Sequence, residues 1–132
     1  MPATDIWPDF QPPETIDSPV FLLKELAAQL KQKTKGLVVA GLRPASTPEG
    51  GFWVGFDLSS PALGAYIYRL FEVTYPLQFF PVTVNAMGQT REAQSMNQLR
   101  TLLEEVLRSP QTKQVVEAIM AQATALGPID AD

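Results

Sequence analysis

Arg69, with Asp57 and Glu72 near it by strand position, is the group in this sequence closest to a chemical site. A guanidinium among carboxylates either closes a structural ion pair or, in a pocket, holds an anionic ligand by two parallel hydrogen bonds. Little else competes with it. The chain of 132 residues contains no histidine and no cysteine. It therefore lacks the side chain that titrates at neutral pH and the commonest soft nucleophile and metal ligand. Ser-His-Asp and Cys-His catalysis, structural zinc and disulfide scaffolding are excluded.

The remaining motifs are weak. Glu104 and Glu105 are adjacent on a helical pattern, so they point apart and form no acid–base dyad. Asp57 with Glu72 across strands is a geometrically possible carboxylate pair that nothing else in the sequence supports. Ser59 and Ser60 have no Ser-x-x-Lys or nucleophile-elbow context, and Gly50-Gly51 reads as a turn rather than a phosphate loop. No acidic run has the spacing of a calcium loop. Neither a cofactor nor a metal is expected.

Aromatic residues mark the other candidates. Trp53, Tyr66 and Tyr68 are expected on an open sheet face, where Trp and Tyr act as partner-binding anchors. Trp7 and Phe10 stand in an acidic, Pro-rich leader that cannot build a helix of its own. Such a segment is expected to dock, in cis or onto a neighbouring subunit, and Lys31, Lys33 and Lys35 offer it opposite charge.

Charge placement narrows the partner class. Asp5, Asp9, Glu14 and Asp17 give the first 17 residues a charge of −4, equal to that of the whole chain. Binding to nucleic acid would call for the reverse, a basic stripe that neutralises phosphate. No apolar run approaches the roughly 18 residues of a membrane span, so no membrane partner is expected. Residues 1–17 carry neither a basic residue nor an apolar segment, so no secretory signal is expected, and the reducing cytoplasm is the expected compartment.

Ser-Pro punctuates the elements that must position these residues. Ser18-Pro19, Ser60-Pro61 and Ser109-Pro110 each combine a good helix N-cap with a first-turn proline. The period of Leu22, Leu23, Leu26 and Leu30 predicts a helix over 19–35, closed by Gly36. Leu37–Arg43 reads as a strand. Phe52, Val54, Phe56 and Leu58 alternate with Trp53, Gly55 and Asp57 in a second. Residues 65–75 fit both periods, and their aromatic and β-branched content decides for strand. That strand would place Arg69 with Ile67, Phe71 and Val73, and Tyr66 and Tyr68 beside Trp53. A last strand with Phe80, Val82 and Val84 contains Pro81, which argues for an edge at Phe79–Asn85 through which a homodimer could pair. Ser95 with Gln98 resembles a capping box ahead of a helix ending near Arg108, and a final helix stops at Gly127-Pro128.

The expected architecture is α+β: an N-terminal helix, a four-stranded mostly antiparallel sheet, and two C-terminal helices on one sheet face. Its organisation is an acidic tail (1–17), one domain (18–127) and a frayed end (128–132). The run from Tyr66 to Val84 resembles small bacterial proteins but implies no activity. The leading functional expectation is a non-catalytic interaction module of the immunity, adaptor or chaperone kind. The alternative is a small-ligand domain or enzyme with a sheet–helix pocket anchored by Arg69.

Overall fold

A computed structural model of the chain describes residues 6–13 and 17–127. The frayed end expected at 128–132 lies outside them. Helix α1 spans Pro19–Lys33, and strands β1 (Val39–Ser46), β2 (Phe52–Ser59), β3 (Ile67–Tyr75), β4 (Val82–Ala86) and β5 (Gln89–Ala93) follow. Helices α2 (Met96–Leu107) and α3 (Pro110–Leu126) complete the domain, and a 3-10 turn at Pro61–Leu63 precedes β3. The α+β arrangement is the one read from the sequence, with a sheet of five strands rather than four.

Serine caps start the helical elements as their spacing implies. The Ser18 hydroxyl accepts from the Phe21 N–H at 3.4 Å, Ser60 from Ala62 at 3.3 Å, and Ser109 from Thr112 at 3.2 Å. Ser95 accepts from Gln98 N–H at 3.2 Å, while the Gln98 side chain accepts from Gln94 N–H at 2.7 Å. Helix α1 stops at Lys33 because Lys35 and Gly36 turn left-handed, with φ of 53° and 81°. Buried Thr34 then ties the helix end to the sheet, its hydroxyl 3.0 Å from the carbonyls of Leu30 and Val38.

The strands form an antiparallel meander in the order β1-β2-β3-β4-β5. Strand β1 runs on through Pro44, which is tolerated because β1 is an edge and needs no ladder bond on its outer side. The expected edge at Phe79–Asn85 is corrected here: β4 is interior, paired with β3 on one side and β5 on the other. Pro81 falls just before β4 and so takes no place in its ladder. Strand β5 carries Gln89, Thr90, Arg91 and Glu92, a charged edge of the kind that resists edge-to-edge pairing.

One row of each strand faces the helices. Leu58, Phe56 and Val54 on β2 continue through Phe71 and Val73 on β3 to Val84 and Val82 on β4. These meet Leu22 and Leu23 of α1, Leu99, Leu102 and Leu103 of α2, and Ile119 of α3 in a single core. At its centre the Phe56 and Phe71 rings stack with centroids 4.7 Å apart.

Candidate functional site

The face of the sheet turned away from the helices carries a polar ladder. Its rows are set by register: Gly41, Asp57 and Arg69 in one, and Arg43, Gly55, Glu72, Asn85 and Thr90 in the next. Arg69 donates to Asp57 through Nε at 2.7 Å and Nη2 at 3.1 Å, a bidentate pair. Arg43 Nε stands 3.2 Å from Asp57 Oδ2, the oxygen that also accepts from Arg69 Nη2. The Arg69 guanidinium also lies 4.7 Å above the Trp53 ring, a cation–π contact. Across the sheet, Asn85 donates to Glu72 at 3.4 Å and Thr90 donates to Asn85 at 2.5 Å.

Gly55 makes the pair possible. A Cβ there would sit 2.8 Å from Arg69 Nε and 3.0 Å from Cζ, so the guanidinium lies flat on bare backbone. Glycine inside a strand is the sequence sign of such a close approach, a sign left unread at Gly55. Gly55→Ala is expected to lift Arg69 off Asp57 and cost about 1–2 kcal/mol. Adding Arg69→Ala to that variant should then cost little more, because both changes remove one interaction. Urea unfolding of the two single variants and the double variant checks this, and full additivity would dismiss the link.

The chemistry of this ladder is restricted. Hydrogen bonding from Arg69 holds the Asp57 carboxyl below the usual carboxylate range, aided by the positive charge of Arg69 and Arg43 and opposed by burial. Asp57 is therefore ionised at neutral pH and cannot serve as a general acid there. The same hydrogen bond raises the Arg69 value further, so Arg69 is a fixed cation. Its paired donor edge is occupied by Asp57, which is the ion-pair reading of these residues.

A bulge overturns the orientation expected for β3. Asp57 pairs with Arg69 whereas Phe56 pairs with Phe71, so Leu70 is an extra residue in β3. Leu70 and Phe71 are both buried in the core. An inserted residue reverses the facing of everything on one side of it. Arg69 therefore leaves the apolar set of Phe71 and Val73 for the outer face. Tyr68, opposite Leu58, turns to the helix side instead of joining Trp53. Trp53 and Tyr68 therefore lie on opposite faces, and Arg69 lies on the face turned away from the helices rather than between sheet and helices.

Tyr66 and Tyr68 instead line a groove of about 520 Å³ between the start of β3, the 3-10 turn and α3. Leu63, Val115, Ala118, Ile119, Gln122 and Leu126 complete it, with no charged side chain among them. Tyr66, Tyr68 and Leu126 are exposed along its rim. The α3 side of this groove is not announced by the sequence, where Val115 and Ile119 read as ordinary inward positions of the last helix. A smaller hollow of about 280 Å³ lies beside the Arg91–Glu105 ion pair between β5 and α2.

Two aromatic rings of the leader, expected to dock in cis or onto a neighbouring subunit, face solvent. Trp7 and Phe10 are 77% and 73% exposed, their rings 6.1 Å apart and in contact only with each other among the aromatic pairs of the described residues. Among those residues no group of three or more Asp or Glu is placed to hold a metal ion. No helix of the described residues is long and apolar enough to cross a membrane.

These features define the class: an α+β meander domain with an ion-paired outer sheet face and an apolar groove beside its last helix. Comparison with family models, with curated proteins and with solved structures finds no match to this chain.

Proposed function

We propose that the chain is a non-catalytic protein-interaction module of the adaptor, immunity or chaperone kind, working in the cytoplasm. The observation that carries this reading is the open groove rimmed by Tyr66, Tyr68 and Leu126. Its size is within the roughly 300–1,000 Å³ of binding pockets. A small polar metabolite needs convergent hydrogen-bonding groups, and the groove offers only two tyrosines and Gln122. An extended peptide segment with apolar anchors suits it better, since tyrosine is enriched in interface cores and among hot spots. Trp7 and Phe10 extend the same chemistry to the leader, and Trp53 is left as a structural platform beneath Arg69. The acidic balance of the chain argues against nucleic acid as the partner.

A photo-crosslinking residue in place of Gln122, in the full-length protein, tests the reading in host lysate. We expect a protein adduct that disappears when Ala118→Arg fills the groove and persists when Arg43→Ala alters the outer face. Ala118 is exposed on α3, and arginine is a good helix former, so the fold should tolerate the change. Failure to crosslink any protein segment at this position would count against the reading.

A further inference from the structure

The chain carries a segment whose chemistry matches that of the groove. Ile6, Trp7 and Phe10 are the three most exposed large apolar side chains among the described residues, at 93%, 77% and 73%. They follow one another within five residues, with Pro8 between them and Pro12-Pro13 beyond. Proline there favours an extended conformation that presents side chains without secondary structure. Because that conformation is restricted before binding, little entropy is lost when it docks.

Charge points the same way. The segment belongs to a leader of charge −4, while the rest of the chain is neutral overall. Lys31 and Lys33 lie in the last turn of α1 and Lys35 follows it. Strand β1 begins at Val39 opposite Ser59, which is itself opposite Ile67. The lysines thus stand at the end of the sheet where Tyr66, Tyr68 and the groove lie. For an acidic segment with apolar anchors, cations and an apolar seat thus lie at the same end of the sheet.

We infer that the groove receives the Ile6–Phe10 segment of a second copy of this chain, giving a reciprocal dimer. The inference rests on the reading of the groove as a protein-binding site. Reach favours the second copy over the same one. Ser18 is at the start of α1, about 22 Å of helix away from the lysine end. Phe10 is eight residues before Ser18, a reach of at most about 26–29 Å when fully stretched. Docking in cis would hold the leader almost taut along α1. A partner copy can approach the groove without that constraint, and two-fold symmetry then makes both seats equivalent.

The test measures mass in solution by sedimentation over a range of concentrations, using full-length chains. The wild type is expected to dimerise. A Trp7→Ala/Phe10→Ala variant and an Ala118→Arg variant should each associate at least about tenfold more weakly. Mixing the two should recover a dimer weaker than the wild type but stronger than either variant alone, because one supplies an intact groove and the other an intact leader for one of the two seats. A monomeric wild type would overturn the inference. So would a dimer that neither variant weakens. The Trp7 indole NMR signal separates a third case: if Ala118→Arg moves it in a monomer, the leader docks in cis and the second copy is wrong. The Gln122 crosslink keeps the two proposals apart, since an adduct to a different protein without self-association overturns only the dimer.

Discussion

Replacing Phe56 by alanine is expected to remove about 3–5 kcal/mol of folding stability, the range for deleting a buried aromatic ring. Phe56 is 1% exposed and stacks on Phe71 at 4.7 Å. Its ring lies in the middle strand row of the single core, fully buried among its neighbours, so little around it can collapse into the space. Domains of this size have about 5–15 kcal/mol in total, which makes the variant marginal. Phe52 provides a control on the same strand and the same row. It is partly exposed and stacks on Tyr75 at 5.7 Å, at the rim of the core. Phe52→Ala should cost about 1–2 kcal/mol, mostly the ring contact and a fraction of the burial. Urea midpoints at equal slope give both values. Equal losses at the two positions would mean that the core is not centred where the stacked rings place it.

Local signals and long-range ones were not equally readable in this chain. Ser18, Ser60, Ser95 and Ser109 act within three residues of themselves, so each announces its helical start directly. The alternation of β2 is also local, and the row of Val54, Phe56 and Leu58 faces the core as its pattern implies. Strand β5 went unseen because Gln89-Thr90-Arg91-Glu92-Ala93 is short, polar and shows no alternation. Its turn was equally obscure: Met87 and Gly88 both take positive φ, at 53° and 76°, in a two-residue connection from Ala86 to Gln89. That geometry is usually announced by Asn-Gly or Asp-Gly, and Met-Gly is a poor herald.

The site was half legible for a related reason. Asp57 and Arg69 could be paired because adjacent strands bring them level. Which face they share depends on the bulge at Leu70, and nothing in Arg69-Leu70-Phe71 marks an insertion. Two apolar residues in succession are the only trace, since both end in the core. Tyr68 and Arg69 exchange faces as a result. The groove could not be foreseen either, because it needs α3 laid against the 3-10 turn, a contact between residues about fifty positions apart.

Asp57→Ala is expected to cost about 1–3 kcal/mol at neutral pH, because it removes the carboxylate that both arginines share. The value stays below the 3–5 kcal/mol of a fully buried broken pair. Asp57 is only 7% exposed, but the side chains of Arg69 and Arg43 are 40% and 58% exposed and can regain water. Asp57→Asn should cost less than Asp57→Ala, since one oxygen still accepts from Arg69. The dependence on pH separates charge from packing. Folding holds the Asp57 carboxyl below its value in the unfolded chain, which is about 3.9. The charged contribution is therefore complete above that unfolded value and is lost as pH falls through the lower folded one. The stability gap between wild type and Asp57→Asn, measured by urea unfolding, should be level from about pH 5 to neutrality and shrink on further acidification. A gap that survives unchanged in strong acid would assign Asp57 a packing role and leave the Arg43–Asp57–Arg69 ladder with no electrostatic part in holding the outer face.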